Sequence, residues 1–90
     1  MSLLSDAEID VRLARLPGWA RHGDEIRRTF SFADFAQAIA FVNRVAVFAE
    51  AADHHPDIDV RYSKVTLALS THSAGGLTAS DFDLAEKFGD

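Results

Sequence analysis

Three of the four histidines in this chain fall in two short segments beside predicted strands. His54 and His55 are adjacent, and His72 follows later. Glu50 precedes His54 by one turn of a predicted helix, so we expect its carboxylate to lie beside that imidazole. Imidazole has an ordinary pKa of about 6.5 and can give and take a proton near neutrality. With no cysteine and no Ser-His-Asp signature, these residues predict proton transfer without a covalent intermediate, as in a hydration, dehydration or tautomerisation.

A predicted β-hairpin brings these histidines together. Residues 57–62 alternate between apolar and charged side chains, and residues 65–70 alternate again after a two-residue turn at Ser63-Lys64. We expect the second strand to run to about His72. In an antiparallel hairpin the start of one strand lies beside the end of the other. His55 and His72 should therefore meet at one rim of the sheet. His54, which precedes His55, should lie at the same rim.

The remaining elements are predicted from caps, chain breaks and hydrophobic periodicity. A capping box at Ser5 opens a first helix that Pro17-Gly18 ends, and a hairpin follows around Gly23-Asp24. The helical period returns from Ala33 to Asp53, and a second capping box at Thr78 opens a last helix. The order α-β-β-α-β-β-α predicts an α+β fold with an antiparallel sheet and helices on one face. No linker or repeat interrupts the sequence, so all 90 residues are predicted to form a single domain.

Composition and charge argue against several classes of function. The chain carries 9 Lys and Arg against 14 Asp and Glu, a net charge of −5, and its only adjacent basic pair is Arg27-Arg28. A nucleic-acid partner is not expected, because phosphate backbones are bound by clustered cations. The absence of cysteine excludes disulfides, thiolate zinc ligands and a cysteine nucleophile, and it fits a reducing compartment.

The N-terminal residues and the apolar segments predict where the protein resides. The sequence opens without the basic segment and long apolar run that a secretory signal requires. The longest apolar stretch, Val45 to Ala49, is far shorter than the ~20 residues of a membrane span. We predict a soluble, cytoplasmic protein with no membrane partner.

The predicted central helix is apolar on more than one side. Two adjacent stripes at helical spacing cover about half of its circumference, and they comprise Phe35, Ile39, Val42, Ala46 and Ala49, and Ala38, Phe41, Val45, Phe48 and Ala52. Ala36, Ala40 and Val47 lie outside both stripes. The rest of so short a chain offers too little protein to cover them. This pattern favours a homo-oligomer, a dimer or a tetramer.

Each candidate residue also has a structural interpretation. His54-His55 could cap a helix C-terminus, where the dipole favours an imidazolium, and His72 could be a solvated strand end. Trp19 could pack in the core, and Asp81 is the third residue of a capping box. Three histidines and a carboxylate could also bind zinc, although adjacent histidines rarely reach one ion.

The spacing of the candidate residues resembles that of the pterin-4a-carbinolamine dehydratase family. The pattern is Glu50-x3-His54-His55-Pro56, five residues, Tyr62, nine residues, His72, eight residues, Asp81. Flanking segments agree with the same family, and they are Gly18-Trp19, Phe30-x-Phe32-x-Asp34-Phe35, Asn43-Arg44-Val45-Ala46, Thr71-His72 and Gly76-Leu77-Thr78. The resemblance covers about residues 17–88.

The resemblance implies a fold, a reaction and a set of site residues. The fold is a four-stranded antiparallel sheet with three helices on one face, assembled through dimers into tetramers. The reaction is dehydration of 4a-hydroxytetrahydropterin, released by aromatic amino acid hydroxylases, to quinonoid dihydropterin, with no cofactor or metal. The family's catalytic histidines fall on His54, His55 and His72. Its substrate-contacting positions fall on Glu50, Asp53, Ser70, Thr71, Ser73, Asp81 and Trp19.

The resemblance also implies a second class of function. Animal members of the family stabilise dimers of a homeodomain transcription factor through their helical face. The alternative interpretation is therefore an oligomeric protein-binding module with vestigial or different pterin activity.

Overall fold

The computed structural model describes residues 2–89. Its helices and strands are α1 (Asp6–Leu13), β1 (Ala20–His22), β2 (Glu25–Ser31), α2 (Phe35–Ala52), β3 (Asp57–Arg61), β4 (Lys64–Leu69) and α3 (Ala79–Lys87), with a one-turn 3-10 helix at His72–Ala74 before α3. The predicted α+β class and the order α-β-β-α-β-β-α are confirmed. Both predicted capping boxes form, one at Ser5 and Glu8 and the other at Thr78 and Asp81.

The four strands form one antiparallel sheet in the order β1-β2-β4-β3. The central pair β2 and β4 is aligned from Ile26 opposite Leu69 to Ser31 opposite Lys64. On the other side of β4, β3 begins with Asp57 opposite Ala68. The start of β2, the start of β3 and the end of β4 therefore share one end of the sheet.

The core lies between the helices and one face of the sheet. The inward residues of the central strands are almost fully buried, and they include Ile26, Val65, Leu67 and Leu69. On α2 the buried residues recur at helical spacing, and they are Ala38, Phe41, Val45 and Ala49. The opposite face of the sheet is polar, with Thr29 and Thr66 hydrogen-bonded across the central strands at 2.8 Å.

The turn of the second hairpin lies one residue earlier than predicted. Arg61 is the last residue of β3 to pair, and it lies opposite Lys64, so the turn is Tyr62-Ser63 rather than Ser63-Lys64. Tyr62 adopts a φ of +50° and is 69% exposed. The alternation of apolar residues along β3 predicted an inward tyrosine, but Val60 already lies opposite Val65 and ends the apolar series.

Helix α2 presents large apolar side chains away from the core. Phe35 is 50% exposed, Val47 68% and Phe48 38%. By length and composition, the 18 residues of α2 could also cross a membrane, with a mean hydropathy of 1.3. Its buried stripe packs in the same core as the inward residues of the sheet, as in the central helix of a globular domain. The predicted homo-oligomer offers a cover for the exposed side chains.

Candidate active site

A buried carboxylate joins the last helix to the histidine pair. Asp81 is completely buried and lies in the first turn of α3, where its Oδ2 accepts a hydrogen bond from the Thr78 backbone N–H at 2.9 Å. The same oxygen accepts from the Thr71 hydroxyl at 2.9 Å. The other oxygen, Oδ1, lies 2.5 Å from His54 Nε2. Three partners therefore satisfy a carboxylate that would otherwise be costly to bury.

This contact sets how the His54 ring can act. An ionised carboxylate only accepts hydrogen bonds, so Nε2 of His54 donates to Asp81. In the neutral ring the lone pair is then on Nδ1, which is the nitrogen that can accept a proton. The ring is largely buried, with 16% of the side chain exposed. Asp81 is thus both the cap that the sequence predicted and the partner that orients His54.

Glu50 pairs with the second histidine of the motif, which corrects the sequence prediction. Its Oε2 accepts from His55 Nε2 at 2.8 Å, whereas the helical spacing had placed the carboxylate beside His54. The physical reason is the chain direction after α2. Asp53 adopts a left-handed conformation with φ +50° and ends the helix before the histidines, so the i,i+4 relation does not apply. Both partners are mainly exposed, and such pairs contribute little to stability.

The strand β4 ends at Leu69, three residues before the predicted end at His72. The Ser70 hydroxyl donates to the Asp24 carbonyl at 2.7 Å. Thr71 forms an isolated bridge with Gly76, which closes the loop 71–76. His72 is exposed on that loop, and its ring makes no hydrogen bond within the part of the chain that the structure describes.

A cavity of about 250 Å³ lies beside His72. Ser70 and Gly75 contribute to its wall from the same side. The first hairpin contributes Asp24 and Glu25, and β3 contributes Asp57. His72 is therefore the candidate histidine that borders an open space large enough for part of a small molecule.

The three histidines lie at one end of the sheet. His54 and His55 immediately precede β3, and His72 follows β4, which pairs with it in antiparallel register. Asp81 connects His54 to Thr71, the residue before His72. His54 and His55 do not line the cavity that borders His72. Joint action of the three rings on one substrate stays a prediction.

The remaining predicted site residues take different positions. Asp53 is the left-handed cap of α2, and Ser73 is exposed in the 3-10 helix. Trp19 is buried in the core, stacked on Phe88 with ring centroids 6.5 Å apart. Trp19 lines a separate cleft with Arg28 and does not border the cavity at His72, so the structure supports its packing interpretation.

The positions of the histidine and acidic side chains bear on the metal-binding interpretation. Within residues 2–89, no group of three His, Asp or Glu side chains is arranged to hold a metal ion.

Asp24 and Glu25 border the cavity but were not predicted from the sequence. Only the strand order places the first hairpin beside Ser70. Asp57 was predicted only as the first residue of a strand.

Fold and site together define a small α+β domain with oriented histidines at one end of its sheet. The family model for pterin 4 alpha carbinolamine dehydratase matches residues 2–90. The chain therefore belongs to this family, whose members are enzymes of the hydro-lyase class.

Individual relatives agree with this assignment. A protein of Roseiflexus castenholzii named pterin-4-alpha-carbinolamine dehydratase is 66% identical over 84 residues, which cover 93% of this chain and 90% of the relative. A protein of the same name from Chloroflexus aurantiacus is 60% identical over 85 residues, covering 94% and 91%. A crystal structure of a transcriptional coactivator/pterin dehydratase from Brucella melitensis matches with a TM-score of 0.93 and 36% identity over 97% of this chain and 95% of that one.

Proposed function

We propose that this protein dehydrates 4a-hydroxytetrahydropterin to quinonoid dihydropterin through proton transfer by His54, His55 and His72. The observation that carries the proposal is the contact between His54 and the buried Asp81. It orients an imidazole at the end of the sheet where His72 borders a cavity. Family membership supplies the reaction, and this arrangement supplies groups suited to it.

The reaction requires two proton transfers and no change of oxidation state. The bond between C4a and the hydroxyl oxygen breaks, and that oxygen leaves as water after it accepts a proton. The N5 proton is removed, and its electron pair forms the new C4a–N5 double bond. One imidazolium and one neutral imidazole supply both transfers near pH 7. Each well-placed acid or base contributes roughly 10²–10⁴ in rate.

The proposal extends to the setting of the reaction. We propose that the protein is cytoplasmic and recycles the pterin released by aromatic amino acid hydroxylases. No metal or redox cofactor enters the proposed steps. Asp81 acts through His54 and is a positioning residue.

A stopped-flow assay with synthetic 4a-carbinolamine tests this proposal. We expect dehydration to be accelerated over the buffer reaction, with the rate unchanged by a chelator because the histidines carry the protons. Loss of activity with chelator and its return with zinc would favour the metal interpretation. A rate equal to that of buffer alone would refute the proposed activity.

The exposed apolar side chains of α2 lead to a prediction about assembly. Because Phe35, Val47 and Phe48 are exposed in one chain, we expect a dimer or tetramer in solution. Sedimentation equilibrium at micromolar concentration should give a mass at least twice the 9.8 kDa of the chain. Val47→Glu should weaken the assembly, whereas Val11→Glu on the exposed face of α1 should not. A monomer of the unmodified protein would contradict this prediction.

A second candidate function is a protein-binding module. The Brucella melitensis structure is described as a transcriptional coactivator as well as a pterin dehydratase, and α2 offers an exposed apolar face. The two functions are separable by mutation. A His72→Ala variant that retains all of its biological effect in cells would favour the binding module, since this substitution leaves α2 untouched.

A further inference from the structure

Thr71 lies between two residues that border the cavity, yet its own side chain is buried. Ser70 and His72 both line the cavity, whereas Thr71 does not, and only 5% of Thr71 is exposed. The partners of its hydroxyl lie within the protein. A role in holding other groups therefore fits Thr71 better than contact between its hydroxyl and a substrate.

The hydroxyl of Thr71 has a defined direction. It donates to Oδ2 of Asp81 at 2.9 Å, and a threonine hydroxyl has one proton to donate. The Thr78 hydroxyl oxygen lies 2.8 Å from that of Thr71, so Thr78 is the donor in this second contact. Thr78 and Asp81 are buried as well. Because hydrogen bonds in a buried chain reinforce one another, these groups hold the Asp81 carboxylate in one orientation.

The backbone of Thr71 closes the loop that carries His72. Its N–H donates to the Gly76 carbonyl at 2.9 Å, and its carbonyl accepts from the N–H groups of Ala74 and Gly75, each at 3.0 Å. Gly75 adopts a φ of +79°, which glycine reaches without steric cost. The loop is therefore anchored on the residue directly before His72.

The Asp81 carboxylate joins this loop to the histidine pair. Its Oδ2 accepts from Thr71, and its Oδ1 accepts from Nε2 of His54. One side chain thus links the segment before β3 to the segment after β4. Proton transfers at a single substrate require an acid and a base that are held in a fixed relation. Without the Thr71 hydroxyl, the loop of His72 would lose its side-chain link to His54.

We propose that Thr71 is a positioning residue that holds His54 and the loop of His72 in register through the Asp81 carboxylate. This inference rests on the proposed function, because it concerns how the proposed acid and base are held. Thr71 contributes no proton to the reaction. Its hydroxyl fixes the carboxylate, and the carboxylate fixes the ring of His54.

Replacing the Thr71 hydroxyl by a methyl group tests the role with little change of shape. The backbone of Thr71 is extended, which the β-branched valine also favours. We expect Thr71→Val to lower kcat about 10–100-fold and to keep KM within about twofold. Thr71→Ser retains the hydroxyl and should restore most of kcat. Contact between the hydroxyl and the substrate would instead raise KM.

The His54 ring reports the same effect in the absence of substrate. Its contact with Asp81 favours the neutral tautomer with the proton on Nε2, which long-range ¹H–¹⁵N correlation spectra identify. We expect this tautomer to predominate in the unmodified protein and in Thr71→Ser. Thr71→Val should populate both tautomers, because the carboxylate can rotate once it has lost the hydroxyl donor.

A second pair of threonines provides the matched control. Thr29 and Thr66 are hydrogen-bonded at 2.8 Å on the polar face of the sheet. Thr29→Val removes one hydroxyl of this pair and should leave kcat, KM and the His54 tautomer unchanged. Urea unfolding of each variant gives the folded fraction, to which kcat is referred. Should Thr71→Val not fold, Thr71→Cys takes its place, since a thiol is a weak donor, and a lower kcat at unchanged KM is again expected.

The outcomes separate this inference from the proposed function. An active unmodified protein whose Thr71→Val variant keeps its kcat and a single His54 tautomer would overturn the inference alone. A variant that raises KM and leaves kcat unchanged would also overturn it, in favour of a substrate contact. No dehydration by the unmodified protein would overturn the proposed function and the inference with it.

Discussion

Replacing any one of His54, His55 and His72 by alanine is expected to lower the single-turnover rate of carbinolamine dehydration roughly 10²–10³-fold. The expected losses are of similar order, since dehydration needs both an acid that protonates the leaving hydroxyl and a base that removes the N5 proton. His55 and His72 are exposed, and neither belongs to the hydrophobic core. Their replacement should therefore leave folding intact.

The fourth histidine provides the matched control. His22 lies on β1, opposite Glu25, and is not among the predicted catalytic residues. His22→Ala should keep the rate within about twofold of the unmodified protein, a change far smaller than general acid–base effects. Circular dichroism and urea unfolding of all four variants would show whether a slow variant is folded. If His22→Ala lost as much rate as the other three variants, the loss could not be assigned to catalysis by the three predicted histidines.

Asp81→Ala is expected to reduce both stability and rate. It removes a helix cap and the carboxylate that accepts hydrogen bonds from the Thr71 hydroxyl, the Thr78 N–H and the His54 ring. We expect the free energy of unfolding to fall by about 2–4 kcal/mol. Loss of a helix cap alone costs roughly 0.5–2 kcal/mol, and the expected loss is larger here because Asp81 is buried with three partners.

Asp81→Asn separates the two effects. An amide can still accept from Thr71 and Thr78, so much of the stability should remain. The amide can present an N–H to His54 Nε2, which would change the favoured tautomer, and we expect the rate to fall about 10–100-fold. The pH–rate profile should change shape, which a purely structural effect would not produce. Asp83→Asn, on the exposed side of α3, is the control and should leave the rate and profile unchanged.

The elements of this fold are predictable because their signals are local. Capping residues, the change from helical to alternating periodicity and the Gly23-Asp24 turn each act within a few residues. The order α-β-β-α-β-β-α follows from them. Local signals also indicated Asp81 as a cap, although not as the partner of His54, which lies on a different element.

Contacts that depend on strand order or on chain direction after a helix were not predictable. The pairing of Glu50 with His55 follows from the left-handed conformation of Asp53, which helical spacing does not reveal. The place of Glu25 beside His72 depends on β2 lying next to β4. Both contacts are set by tertiary structure.

Single-turnover stopped-flow dehydration by His55→Ala, His72→Ala and the double variant, on samples of verified folding, tests the central claim most directly. If these histidines act as one acid–base unit, each single variant should lose roughly 10²–10³ in rate. The double variant should lose less than the product of the two, since residues that act together are not additive. A rate for His72→Ala within about twofold of the unmodified protein, far smaller than the loss expected for a general acid or base, would contradict the account.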